Sequence, residues 1–148
     1  VNAVASSADV IYLTGCQLEV GAAATDFEHR DIASELLRSQ RYFCQSKPGT
    51  AYGYHAVGLG VAGTTSRANH TVQFPVEMRA APAQTDAGNF FSYDGVSNVT
   101  VSGITVNQMS PITAQVWVAS SAAHTAFRPY QLYSNNDATA YIAFDAEL

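Results

Sequence analysis

Residues 98–120 read NVTVSGITVNQMSPITAQVWVAS, and this stretch decides the fold. Val99-Thr100-Val101 and Ile104-Thr105-Val106 are short runs of residues that suit a pleated, half-buried surface. They flank Ser102-Gly103, which predicts a two-residue hairpin, although Ser-Gly is a weaker turn signal than Asn-Gly. Ile112 to Ala119 reads as a further strand. Trp117, between Val116 and Val118, is as consistent with a core position as with an exposed one.

Working outward, the same texture continues. Downstream, Phe127 to Tyr133 and Tyr141 to Leu148 read as strands joined by a Ser134-Asn135-Asn136-Asp137 turn, and the alternation Ile142, Phe144, Ala146, Leu148 predicts a strand paired inside a sheet. Upstream, Phe90-Phe91-Ser92-Tyr93 runs into Asp94-Gly95, a strong turn dipeptide. His70 to Val76 alternates Val72, Phe74 and Val76 against Thr71, Gln73 and Pro75, and Pro75 restricts the end to an edge or terminus. Tyr52 to Val61 is interrupted by Gly53, Gly58 and Gly60, which predicts a kinked or bulged strand. Met78 to Pro82 reads as a connection, and Arg41 to Gln45 as a strand. Short strands at roughly ten-residue spacing indicate an antiparallel sandwich or barrel. The expected fold is mainly β, an antiparallel, jelly-roll-like β-sandwich of about seven to nine strands.

The N-terminal part differs. Val10 to Leu13 and Cys16 to Val20 are strand-like, with Cys16, Leu18 and Val20 on one expected buried face and Gln17 and Glu19 on the other. Gly21-Ala22-Ala23-Ala24 breaks the pattern, and Asp26-Phe27-Glu28-His29-Arg30 packs four ionisable residues into five positions. Residues 31–41 form the one convincing helix. Asp31 can cap it, and Ile32, Leu36 and Leu37 share a stripe. About three turns need tertiary support.

Composition narrows the function. The chain has 148 residues, enough for one domain or one domain plus an attached element. It is 47% hydrophobic but only 13% charged, against roughly 25% in typical soluble domains, so part of its surface is expected to be covered by other chains. Net charge is −5 with scattered basic residues and a single lysine, Lys47; this argues against nucleic acid and anionic membranes as partners. No apolar run approaches the ~20 residues of a membrane span, and no signal-peptide pattern occurs. The absence of an initiator Met reads as a fragment of a longer polypeptide. Cys16 and Cys44 fit buried free thiols better than a bridge or a catalytic nucleophile.

Catalytic motifs are lacking. His29, His55, His70 and His124 have no metal-binding spacing. There is no GxSxG elbow. Gly58 to Gly63 matches GxGxxG in a strand-rich region with no helix after it, so the match is accidental. Glu77, Asp86, Asp94, Asp137 and Asp145 are unpaired in sequence, and Asp94 and Asp137 look like turn formers. No enzyme activity, metal or cofactor is expected. Aromatics in polar surroundings (Tyr52, Tyr54, His55, Tyr93, Trp117, Tyr130, Tyr133) suit either sugar stacking or the packing of a sandwich or subunit interface. Those that border turns give the candidate glycan set: Tyr93, Asp94, Tyr133, Asn135, Asn136 and Asp137, with Tyr54 added.

The segment TGCQLEVGAAATDFEHRDIASELLRSQRYFCQS, residues 14–46, resembles one that recurs in tail fibre and receptor-binding proteins of tailed bacteriophages and prophages. The matching residues are Gly15 to Gly21, Thr25 to Arg30, Glu35-Leu36 and Gln40 to Phe43. FPVEMRAAP, Phe74 to Pro82, and AYIAFDAEL, Ala140 to Leu148, look like the C-terminal domain of the same family. The resemblance implies a virion component assembled in the host cytoplasm and usually homotrimeric. Residues 1–30 would close an upstream fibre domain, 31–41 would be a trimer-axis helix, and 42–148 would be a distal tip that contacts a host polysaccharide or outer-membrane receptor. Phe27, Glu28, His29 and Arg30 would then form a joint, with the charges paired between chains and Phe27 as a peg, while Ile32, Leu36 and Leu37 would cluster on the axis. A structural trimerisation or capping domain, or the non-catalytic end of a tailspike depolymerase, are the alternatives.

Overall fold

A computed structural model describes residues 16–23, 25–49, 55–121 and 123–147. Among them are one helix and ten strands, and the protein is mainly β. Helix α1, Ile32–Gln40, starts where Asp31 takes an extended conformation and its carboxylate accepts the Ser34 N–H at 3.1 Å. This is the expected cap, since it satisfies one of the amides that the first turn leaves without an intrahelical partner. The helix buries none of its residues. Ile32, Leu36 and Leu37 share their stripe as expected, and in the single chain that stripe faces solvent.

The strands are β1 (Phe43–Ser46), β2 (Ala56–Thr64), β3 (Arg67–Gln73), β4 (Ala83–Ala87), β5 (Phe90–Tyr93), β6 (Asn98–Thr100), β7 (Gly103–Met109), β8 (Thr113–Ala119), β9 (Pro129–Ser134) and β10 (Tyr141–Asp145). They form a three-stranded sheet, β1-β10-β4, and a seven-stranded sheet, β6-β5-β9-β2-β3-β8-β7, with every pairing antiparallel. The C-terminal strand β10 lies at the centre of the small sheet, as its alternation requires. Bulges at Ala56/Gly58 and Ala62/Thr64 account for the glycine-interrupted character of β2.

The Ser102-Gly103 hairpin does not form. β6 pairs with β5 and β7 pairs with β8, so these consecutive strands are opposite edges of the large sheet. In a flat sheet, six inter-strand spacings of ~4.8 Å would separate them by about 29 Å. The three Cα steps from Thr100 to Gly103 reach at most about 11 Å. The sheet must therefore curl until its edges approach, giving a half-barrel. The link itself is pinned on both sides: the Val101 N–H donates to the Phe90 carbonyl at 3.1 Å and the Ser102 N–H to the Ala119 carbonyl at 2.8 Å.

The concave face holds the core. Ala114, Val116 and Val118 of β8, Leu132 of β9, Phe90 of β5 and Ile104 of β7 meet Ile142 and Phe144 of the small sheet. Phe74 and Phe144 pack edge to face at 4.9 Å between ring centres. Deeper in the curl, Ala62, Ala68, Val99 and Tyr130 form a second cluster. Gly60 is required there, because a Cβ would fall 2.6 Å from Cγ of His70.

The expected strand at Cys16 to Val20 is absent. Leu18 and Val20 are fully exposed, and Cys16, expected to be buried, is exposed as well. Alternation qualifies a segment for a half-buried surface, but nothing among the described residues supplies the other half. Val10 to Leu13 lie outside the described residues.

Candidate functional site

The convex face of the large sheet follows from strand register. Opposite pairs set Phe91 against Tyr133, Tyr93 against Gln131, Gln131 against Leu59, Val61 against Asn69, and Asn69 against Trp117. Of the outward residues of β5, β9, β2, β3 and β8, Arg67 alone is charged, and its guanidinium carbon sits 4.0 Å from the centre of the Trp117 ring. Leu59 is 71% exposed in the middle of this face, and Val61 49%. At one side the rings of Phe91, Tyr93 and Tyr133 touch edge to face, 6.1 Å and 6.3 Å between centres, and the Tyr133 hydroxyl donates to Oδ1 of Asn98 at 2.5 Å. Tyr93 and Tyr133 are thus brought together as a rigid aromatic corner edged by the amides of Asn98 and Gln131. Only the register reveals those two amides; neither stands out in sequence.

The other candidates divide. Asp94 serves its turn: Oδ1 accepts the N–H groups of Ser97 at 2.8 Å and Val96 at 2.9 Å, and Oδ2 meets Arg128 at 2.6 Å. Those two backbone N–H groups, with help from the Arg128 guanidinium, hold its carboxyl far below the usual carboxylate range. Asp137 is likewise engaged. It accepts from the Thr139 hydroxyl at 2.6 Å, and from the backbone N–H groups of Thr139 and Asn89, both at 2.9 Å. These contacts lower its pKa, the Thr139 hydroxyl most. Asn136 adopts φ 45, and the Asn135 N–H donates to the Asn89 carbonyl at 2.8 Å. Asn135, Asn136 and Asp137 therefore form a turn locked to residue 89, at the opposite end of the β5–β9 pair from Asp94 and about 17 Å away along the strands. They are not one site with Tyr93, because both acids are used to fix backbone. Tyr54 and Tyr52 lie outside the described residues.

The joint is closed within one chain. Glu19 accepts the Thr25 hydroxyl at 2.6 Å, and the Glu28 N–H donates to Gln17 at 2.8 Å, so side chains clasp the bend at Gly21 to Ala23. Arg30 pairs with Glu28 at 2.7 Å and Glu35 at 3.2 Å. In the single chain both carboxylates that Arg30 meets are its own. His29 stacks edge to face on Phe27 at 5.0 Å, and Phe27 stays 44% exposed.

The interior holds polar groups that sequence reading passed over. His70 and His124 are buried in the curl. His124 Nδ1 bonds Ser120 Oγ at 2.9 Å and its ring packs on Tyr130, whose hydroxyl accepts the Thr125 N–H at 2.8 Å. Among the described residues, both ring nitrogens of His70, Nε2 of His124 and Oγ of Ser92 lack a hydrogen-bond partner of good geometry. Burial lowers the pKa of His70 to about 4, against a small opposing effect of the Gly58 carbonyl, and lowers that of His124. The signal for His70 was its position, two residues from Val72 on the inward face of an alternating strand. No group of three or more His, Cys, Asp or Glu side chains is placed to hold a metal among the described residues. Cys16 and Cys44 are free thiols, and burial raises the pKa of Cys44. No helix among the described residues is long and apolar enough to cross a membrane.

Against known protein families, curated proteins and solved structures, the chain finds no match.

Proposed function

We propose that this chain is the distal, receptor-binding part of a trimeric bacteriophage tail fibre, and that it holds a host-surface glycan without cleaving it. The observation that carries the reading is the convex face: an aromatic corner of Tyr93 and Tyr133, edged by the amides of Asn98 and Gln131 and continuing to Asn69 and Trp117 with almost no charge. Sugars present C–H faces that stack on rings and hydroxyls that pair with amides, and both are presented here on a rigid sheet. In this reading the small sheet and the curled sheet form a jelly-roll-like sandwich. The exposed stripe Ile32, Leu36 and Leu37 supports the trimer, since three copies around an axis would cover it.

The exposed Leu59 and Val61 favour a second reading, in which the same face is an interface of a trimerising or capping domain. The two part on one experiment. The chain is applied to an array of bacterial surface polysaccharides, with light scattering in parallel. The glycan reading expects a mass of three chains, binding to at least one polysaccharide, and at least about a ten-fold loss on Tyr93→Ala or Gln131→Ala with an unchanged melting temperature. A parent protein that binds no polysaccharide, or variants that lose the trimer in place of the glycan, would overturn it.

A further inference from the structure

Among the described residues β1 is an edge of the small sheet, and it shares a cleft with Val57 of β2 and Val72 and Gln73 of β3. This cleft has a volume of about 280 Å³. Its floor is apolar, made by Val57, Val72, Phe74 and Phe144. Its rim is polar: Gln40, Gln45, Ser46, Lys47, His55 and Gln73. Ser46 Oγ and His55 Nε2 meet across it at 2.7 Å. His55 is fixed by two bonds to Ser134: its N–H donates to Ser134 Oγ at 2.8 Å, and its carbonyl accepts the Ser134 N–H at 3.0 Å. The rim is therefore partly built and held before any ligand arrives.

Charge gives the cleft its selectivity. The chain carries net charge −5, yet among the described residues no Asp or Glu lines this cleft, and the chain's single lysine does. Lys47 makes no ion pair among the described residues. An ammonium group with no ion pair among the described residues, sharing a cleft with three glutamine amides and apolar side chains, is suited to a ring that carries one carboxylate and several hydroxyls. The volume lies at the lower limit of ligand pockets, which begin near roughly 300 Å³, so it takes one ring and not a chain.

We propose that this cleft binds a single carboxylate-bearing sugar unit, of the uronic acid type, with Lys47 taking the carboxylate, the glutamine amides the hydroxyls, and Val57 and Val72 the ring's C–H face. The site is separate from the convex face, and it rests on the glycan reading only in the choice of a sugar to carry the carboxylate.

The test is a titration of the full chain, labelled at backbone amides and valine methyls, with glucuronate, glucose and acetate in turn at low salt. Glucuronate is expected to shift the Val57 and Val72 methyl signals saturably, with glucose and acetate each at least about ten-fold weaker. Lys47→Met should weaken glucuronate about ten-fold and Lys47→Arg less than about three-fold. No saturable shift with glucuronate, equal binding of glucose or of acetate, or an unaffected Lys47→Met protein would each overturn the proposal. Tyr93→Ala separates the two sites. If polysaccharide binding at the convex face is never observed while the glucuronate titration succeeds, the convex-face reading fails and this one stands.

Discussion

Leu132 and Tyr133 are adjacent on β9, and they belong to opposite faces of one sheet. Leu132 is fully buried among Phe90, Val116 and Phe144 in the core, whereas Tyr133 is part of the outer aromatic corner. The strands that place Ala62, Ala68, Val116, Val118 and Leu132 inside place Leu59, Asn69, Trp117 and Tyr133 outside. The inner face is defined by what it packs against, and its residue types follow from burial. The outer face is packed against nothing among the described residues, yet it carries a single charge, Arg67, and is not random. The side chains that carry stability are therefore distinct from those to which we assign recognition, which allows the two to be altered separately.

The largest effect is expected inside. Leu132→Ala removes a fully buried side chain from the centre of the core and should cost about 2–5 kcal/mol of unfolding free energy. Urea denaturation followed by tryptophan fluorescence measures it, because Trp117 on β8 reports on the sheet. A loss below about 1 kcal/mol would mean that the curled sheet does not close over this position as described.

Much of this division was legible in sequence and some was not. Alternation located β10 and, displaced by three residues from His70–Val76 to Arg67–Gln73, β3; strand-forming runs located β8 and β9, Asp31 the start of the helix, and Asp94-Gly95 a turn, because each is a local property of a few neighbouring residues. Pairing is not local. Val99 to Val106 has the look of a hairpin, but its two halves join opposite edges of a sheet, a fact that depends on how the other five strands curl. β4, Ala83–Ala87, escaped notice because it is an exposed edge with no apolar alternation to detect. The candidate site shows the same limit. Tyr93 and Asp137 both border turns, so the sequence criterion selected both. Only the hydrogen bonds show that Asp137 is committed to its own turn while Tyr93 sits on an open corner.

A second, smaller effect comes from the inner face and depends on pH. His70 is buried without a well-formed hydrogen bond among the described residues, and its folded pKa, about 4, lies below the ordinary 6.5 of a histidine. The folded state therefore binds fewer protons than the unfolded state between those values. The contribution of neutral His70 is complete above about pH 6.5 and is lost as pH falls toward 4, an effect of about 2–3 kcal/mol between pH 7.5 and 4.5. His124, also lowered by burial, acts in the same direction. Urea midpoints at the two pH values, for the parent and for His70→Leu, isolate the part due to His70. The variant should show a smaller difference between them, and an equal difference would place the His70 ring in contact with water.

The smallest effect is expected where the chain packs least. α1 buries no residue, and Leu36 is 57% exposed in the single chain. Leu36→Ala should therefore change the unfolding free energy of the dissociated chain by less than about 0.5 kcal/mol, several-fold less than the same truncation at Leu132. Two leucines, cut back by the same atoms, differ only in what surrounds them. The proposed trimer reverses the order for assembly: truncating Leu36 should raise the concentration at which light scattering detects dissociation, while a core truncation acts on assembly only through the fold. If Leu36→Ala leaves both the fold and the association unchanged, the helix stripe is not the surface that joins the chains. The joint at Phe27 and the exposed Leu59 and Val61 on the convex face are then among the apolar surfaces left to do so.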